Sequence, residues 1–426
     1  MKPATPAGFV IFEESFTIKS MKTRGEKKTD KEALEEALTR GVSTILPSKE
    51  KLAERMFRGG RLRLYLGIDP TGPHLHFGHA TNLLTLKRLQ ELGHEVILLV
   101  GDFTARIGDP TDKLAARTAL SAAEVRANMK GFKKQIASIL RLSGKNAAKI
   151  AYNSKWFEKM RLEDVMALLS KTTVQQMMER DMFQDRVRQD KPIGVHEFLY
   201  PLMQGYDSVM LDVDLEVGGN DQTFNMLMGR HLQRIYHSKE KFVLATTLLL
   251  NPKTGKKLMN KSEGGMINLD DAPEDIFGKV MALDDASMFV FAELSTEMPL
   301  SRIEELRRGI HPRDAKLEIA SAATALVYGE KKSREAKEKF LAVFSKKDLS
   351  GEFPEIKTPF PASLSGLVMN SGVKSKSEAW RLIMQGAVSI NDEAKKDPRE
   401  MLTRIKTGDV VKIGKHKFFR ISIKQP

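Results

Sequence analysis

Residues 65–79 run Tyr65-Leu66-Gly67-Ile68-Asp69-Pro70-Thr71-Gly72-Pro73-His74-Leu75-His76-Phe77-Gly78-His79. This stretch joins two different periodicities. Upstream, Arg61 to Leu66 alternates strictly, with Leu62, Leu64 and Leu66 facing one way and Tyr65 the other, which is a strand pattern. Downstream, Leu83, Leu86, Leu89 and Leu92 recur on roughly one side of a helix that Gly93 closes. Glu95 to Val100 follows as a near-continuous apolar run, as in a strand whose two faces are both covered by helices. Strand, loop, helix and strand make a βαβ unit, and its ligand loops belong at the carboxyl ends of the strands.

Working outward, residues 31–59 read as helical, and residues 121–190 as mostly helical. Val213 to Val217 alternates again, ends in Gly218-Gly219 and leads into a helix from about Asp221 to Tyr236. Residues 270–345 read as a separate helical bundle. Pro354, Pro359 and Pro361 mark a linker, and a basic module follows. Within it, Ser377 is expected to cap a helix carrying Arg381, with Gly386 at its end. Val410, Ile413, Phe418 and Ile421 then supply short strands.

The 426-residue chain is 41% hydrophobic and 29% charged, ordinary values for a globular protein of two to three domains. Without cysteine it has no disulfide, no cysteine-ligated zinc and no cysteine nucleophile, which fits a cytoplasmic protein. No apolar run reaches the length that crosses a bilayer. Met1 to Ser20 lacks a secretory pattern, Met21 is an alternative start, and residues 1–30 read as a disordered tail. The net charge of +14 favours a polyanionic partner. From Phe360 to Pro426 there are 13 Lys or Arg against 6 Asp or Glu, so half of the excess lies in 67 residues.

Four segments carry the chemistry jointly. In the first, His76-Phe77-Gly78-His79 opens a helix, whose free backbone N–H groups and positive dipole end suit a phosphate. Gly78 lets a nucleotide approach. The second is Gly101-Asp102-Phe103-Thr104-Ala105-Arg106-Ile107-Gly108-Asp109-Pro110, continuing to Lys113 and Arg117, whose spacing of four would put them on one face if the segment is helical. The third is Tyr200-Pro201-Leu202-Met203-Gln204-Gly205-Tyr206-Asp207, followed by Glu216-Val217-Gly218-Gly219-Asn220-Asp221-Gln222. Spacings of four and three put Tyr200, Gln204 and Asp207 on one helical stripe. Burying such groups unpaired costs about 1–3 kcal/mol each, so a polar ligand is the simpler account. The fourth is Lys256-Lys257-Leu258-Met259-Asn260-Lys261-Ser262.

Taken together, these segments resemble the signatures of class I aminoacyl-tRNA synthetases, in the form shared by the tyrosyl and tryptophanyl enzymes and closest to the bacterial tyrosyl family. The resemblance runs from about residue 45 to 426. It implies an α/β fold with a Rossmann-type parallel-sheet catalytic domain over 31–265 that holds a helical insertion. An α-helical anticodon-binding domain over 266–345, a linker over 346–363 and a small α+β RNA-binding domain over 364–426 would follow. His311-Pro312-Arg313-Asp314-Ala315-Lys316 resembles a motif of the helical domain. Leu367 to Asn391 is similar to a small RNA-binding domain found in a ribosomal protein, and Lys374, Lys376 and Arg381 would be its phosphate contacts.

The activity so implied is ATP-dependent tyrosine–tRNA ligation through a tyrosyl-adenylate. Asp109, Tyr200 and Gln204 would surround the substrate ammonium, Tyr65 and Asp207 its phenol hydroxyl, and Gln222 its carboxylate. Gly67, Asp69, Thr71, Gly78, Gly219, Asp221 and Lys257 would bind ATP. His76, His79, Lys113, Arg117, Lys261 and Ser262 would stabilise the transferring phosphate. Lys261 and Ser262 match the family's mobile lysine loop directly. Its first lysine falls on Leu258 in an ungapped match, and Lys257 is the substitute. Magnesium is expected with ATP, and no protein-bound structural metal. Partners would be tRNA(Tyr), tyrosine, ATP and a second copy of the chain, with no membrane.

Two rivals compete with this reading. The Tyr65/Asp207 pair, Gly-Gly-Asn-Asp-Gln and the C-terminal module argue against a tryptophan–tRNA ligase. Intact His76, His79, Asp109 and Lys261 argue against a non-catalytic RNA-binding relative.

Overall fold

Six strands form the main sheet: β1 (Val42–Leu46), β2 (Arg63–Ile68), β3 (Glu95–Val100), β4 (Lys149–Tyr152), β5 (Leu215–Gly219) and β6 (Phe242–Thr246). Their order is β1-β6-β5-β2-β3-β4. All neighbours are parallel except β1, which runs antiparallel along β6. The computed structural model describes residues 30–109, 120–260, 265–345, 353–373, 375–391, 393–414 and 417–423. Lys113, Arg117, Lys261, Ser262, Lys374 and residues 1–29 lie outside them.

The apolar pattern dictates the sheet's centre. Leu64 and Leu66 of β2 join the large core on one face, while Tyr65 packs with Ile97, Leu99 and Val213 on the other. Both faces are therefore covered, as a parallel sheet requires. Helix α1 (Phe77–Glu91) crosses between β2 and β3, and helices α2 (Leu199–Leu211) and α3 (Thr223–His237) flank β5. α2 and α3 approach closely because both have glycine at the crossing: a Cβ on Gly205 would lie 3.1 Å from the Gly229 nitrogen.

Several expectations need correction. Residues 31–59 are not continuously helical. Helices Asp30–Thr39 and Lys49–Phe57 are separated by β1, because Gly41 takes φ +68° and Val42, Thr44 and Ile45 then favour extended backbone. The largely helical 121–190 stretch contains the edge strand β4. The Val213–Val217 alternation leads into strand β5, which is buried throughout, Glu216 included. The helices Pro273–Met281, Asp285–Ser295, Leu300–Gly309 and Pro312–Ser345 place their apolar faces in the same core as the sheet. Phe291 packs on Phe77 with ring centroids 5.1 Å apart, and Ser295 Oγ donates to the Phe77 carbonyl at 3.1 Å.

Toward the C-terminus a second core forms around helix α4 (Lys376–Met384) and strands β7 (Glu355–Thr358), β8 (Ala362–Ser363), β9 (Val388–Ile390), β10 (Glu393–Lys395), β11 (Met401–Leu402), β12 (Val410–Ile413) and β13 (Lys417–Ile423). The stretch read as a linker to residue 363 therefore ends in structure. β7 pairs in parallel with β13 and buries Ile356. The cap of α4 is Ser375, whose hydroxyl accepts from the Glu378 N–H, and not Ser377. Gly386 follows the helix with φ +69°, as expected.

Candidate active site

A cavity of about 360 Å³ opens at the carboxyl ends of β2, β3 and β5. Its walls contain Tyr65, Gly67, Asp69, Thr71, His76, Gly78, His79, Asp109, Tyr200, Gln204, Asp207, Gly219, Asp221, Gln222 and Lys257. Residues from four sequence segments thus share one space. Lys376 and Arg381 lie elsewhere, exposed on α4.

The α1 start is built differently from the expectation of free backbone donors. His76 is the N-cap, and its Nδ1 accepts from the Gly78 N–H at 3.2 Å. The His79 Nδ1 accepts from the His76 N–H at 3.1 Å. The Phe77 N–H goes to the Ile267 carbonyl, and the His79 N–H to the His76 carbonyl. The first donors are therefore taken by the protein itself. With both Nδ1 atoms accepting, each neutral ring carries its proton on Nε2, which leaves two N–H donors. Burial pulls His76 down to about 4 and His79 to about 3, so both rings are neutral at pH 7. Gly78 is needed for this cap, because a Cβ there would meet His76 ring atoms at 2.9 Å.

The α2 stripe supplies a second set of groups. The Tyr200 hydroxyl donates to Asp69 Oδ2 at 2.9 Å, and Thr104 Oγ1 to Asp69 Oδ1 at 2.8 Å. Asp69, expected to bind ATP, is thus engaged with Tyr200. Asp207 accepts from Trp156 Nε1 at 2.9 Å and Asn153 Nδ2 at 3.3 Å. Burial pushes the Asp207 carboxyl well above the usual carboxylate range, against those two hydrogen bonds. Burial likewise raises the Tyr65 and Tyr200 hydroxyls. Gln222 donates to Asp109 at 2.7 Å and accepts from Asn225 at 2.8 Å, and Asn225 also donates to Gln204 at 2.9 Å. An amide-and-carboxylate chain therefore links Asp109 to Gln204.

Lys257 Nζ reaches Asp221 Oδ2 at 2.8 Å, and its charge is felt at His76. Leu258 is 2% exposed and sits in the core. Among the described residues of this loop, the lysine that lines the cavity is Lys257. Among the described residues no cluster of three or more His, Cys, Asp or Glu is arranged to hold a metal, and no helix is long and apolar enough to cross a membrane.

Sequence reasoning missed Asn153, Trp156, Ser208, Asn225 and Lys241. Lys241 is fully buried against Glu216 and Ser208. Its only local signal is a charge at the head of an apolar strand. Burial lowers its ammonium pKa, and the adjacent Glu216 opposes that shift.

The family described as tRNA synthetases class I (W and Y) matches residues 58–345. A tyrosine–tRNA ligase of Moorella thermoacetica is 41% identical over 394 residues, covering 90% of this chain and 94% of the relative. One from Thermotoga maritima is 40% identical over 392 residues, covering 90% and 96%. Among solved structures, a C-terminally truncated mitochondrial tyrosyl-tRNA synthetase of Aspergillus nidulans superposes with TM-score 0.63 at 24% identity, covering 75% of this chain and 95% of that one. The Archaeoglobus fulgidus tyrosyl-tRNA synthetase complexed with L-tyrosine gives 0.56 at 24% identity, covering 73% and 100%. Those two likenesses concern the fold, while the identities near 40% over most of both chains decide the matter: the chain belongs to the tyrosine–tRNA ligases of the class I tRNA synthetase family.

Proposed function

We propose that the chain activates tyrosine with ATP and transfers it to tRNA(Tyr). One observation carries the reading: a single cavity joins a phenol-sized polar set (Tyr65, Asp207) to a set fit for phosphate (His76, His79, Lys257). Asp109, Gln204 and Gln222 line the same cavity and are suited to an α-amino acid's ammonium and carboxylate. The tyrosine carboxylate attacks the α-phosphate in line. The bond to the bridging oxygen breaks, and pyrophosphate leaves. The two Nε2–H donors and Lys257 meet charge that grows on the phosphate oxygens, where fixed donors act best. Lys113, Arg117, Lys261 and Ser262 complete this set. A terminal ribose hydroxyl of the tRNA then attacks the adenylate carbonyl and expels AMP. Magnesium enters with ATP as part of that substrate.

The recognition of tyrosine follows from unpaired groups. A ring without a hydroxyl would leave the cavity-facing valences of Tyr65 and Asp207 unmet in a buried wall, a discrimination for which tyrosyl enzymes are themselves the standard example. The 266–345 helices bind the anticodon region, and the basic C-terminal module binds RNA through Lys374, Lys376 and Arg381. Exposure of Lys376 and Arg381 supports the latter. A cytoplasmic homodimer fits the solvent-facing apolar side chains Leu162, Met166, Val174 and Val195.

The test is amino-acid-dependent exchange of labelled pyrophosphate into ATP, without tRNA, across all twenty amino acids. Exchange with tyrosine alone is expected. Exchange with tryptophan instead would remove the roles given to Tyr65 and Asp207.

A further inference from the structure

A buried charged pair adjoins the cavity: Glu216 lines it, and Lys241 lies behind Glu216. Lys241 is 0% exposed, Ser208 0% and Glu216 2%. Lys241 Nζ bonds Glu216 Oε2, and donates to Ser208 Oγ at 2.8 Å. Ser208 Oγ lies 3.2 Å from Glu216 Oε2 and 3.0 Å from the Tyr65 hydroxyl. The other Glu216 oxygen accepts from Gln204 Nε2 at 3.1 Å. One carboxylate therefore reaches both Tyr65, through Ser208, and Gln204 directly.

The proton count gives this arrangement a direction. Ser208 has one proton, and the carboxylate is its stronger acceptor. Lys241 occupies one of the Ser208 lone pairs. The remaining lone pair accepts from Tyr65, whose other inward partner, the Gln204 backbone carbonyl at 3.3 Å, also only accepts. The Tyr65 O–H thus points into the protein, and an oxygen lone pair faces the cavity. Stability alone does not account for the pair, because well-packed apolar residues replace buried ion pairs at little cost or none. The fold also reserves room for it, since a Cβ on Gly229 would stand 2.4 Å from Lys241 Nζ and 2.5 Å from Ser208 Oγ.

We propose that the buried Lys241–Glu216 pair, acting through Ser208 and Gln204, is the positioning element of the amino-acid site. It fixes the position of the Tyr65 hydroxyl and holds Gln204 in register with it. This inference rests on the reading of Tyr65 as a contact of the substrate phenol.

The experiment is a double-mutant cycle in pyrophosphate exchange with Ser208→Ala, Tyr65→Phe and both together. Ser208→Ala leaves the two charges paired and so avoids a stranded buried ion. Expected are a rise of roughly tenfold in KM for tyrosine, KM for ATP within about twofold, and weaker rejection of phenylalanine. In the Tyr65→Phe background the Ser208→Ala effect should vanish. A K241M/E216Q variant, which removes both charges at similar volume, should repeat the KM split. If Tyr65→Phe alters tyrosine recognition while Ser208→Ala and K241M/E216Q do not, or if their effects simply multiply, the positioning role is wrong. If Tyr65→Phe itself changes nothing, the underlying assignment of Tyr65 fails instead.

Discussion

Lys257 and Asp221 are joined by a 2.8 Å ion pair at the cavity wall, while the next residue, Leu258, points into the core. The pair couples the loop after β6 to the turn after β5, and under the proposed function its ammonium would meet the departing pyrophosphate. Lys257→Ala is expected to slow pyrophosphate exchange by roughly 10- to 100-fold with KM for tyrosine little changed. Restoring lysine at the family position should not help: Leu258→Lys buries an unpaired charge and costs about 4 kcal/mol or more of stability. Exchange kinetics and thermal melts of the two variants check both statements.

The histidine pair makes stability depend on pH in a fixed sense. In the unfolded chain both imidazoles titrate near about 6.5, but in the fold they are held down to about 4 and about 3. Below about pH 6.5 the unfolded state binds more protons, so this contribution is complete above that pH and is lost as pH falls toward 3–4. Denaturation midpoints from pH 8 to 4 should fall more steeply for the wild type than for H76N/H79N. KM for ATP should show no inflection near pH 6.5 from these two rings.

Gly78 should tolerate no side chain. The Cβ of Gly78→Ala meets the His76 ring at 2.9 Å, so the ring must leave its cap on the Gly78 N–H. A stability loss of about 1 kcal/mol is expected, together with a kcat reduced roughly tenfold as the Nε2 donor is displaced. Titration with denaturant and steady-state exchange measure the two effects separately.

Removal of the C-terminal module is expected to separate the two half-reactions. A chain ending at residue 345 retains the cavity residues and the whole first core. It should keep pyrophosphate exchange within about twofold and lose most tRNA charging. In the full chain, Lys376→Ala and Arg381→Ala should each weaken tRNA binding and lower its salt dependence by about one released counterion.

The central strands were legible because their pattern is local: both faces of β2 and β3 are apolar. The Tyr200–Gln204–Asp207 stripe was legible for the same reason, as a helix fixes its spacing. Edge strands β1 and β4 were not, since Ser43, Thr44, Lys149 and Tyr152 give no clear alternation and pairing with β6 and β3 decides their state. β7 was hidden among prolines because its partner β13 lies at the far end of the module. Ser375 and Ser377 flank Lys376, and only the hydroxyl geometry chooses between them. Lys241 was out of reach altogether. A lysine is buried only when a partner such as Glu216 comes from another strand and a gap such as Gly229 admits it.

The shared packing of sheet and helices has a thermodynamic consequence. The largest apolar interior draws on residues from Leu34 to Ala336 and includes the helices after residue 272, with three smaller clusters beside it, while Ile356 to Ile421 form a separate core. A cooperative unit extends as far as its interior does. Calorimetry should therefore resolve two endotherms rather than three, with the helices after residue 272 melting together with the parallel sheet. Damage to the Phe77–Phe291 contact would be felt at the histidines as loosened footing, long before any change reached the substrate.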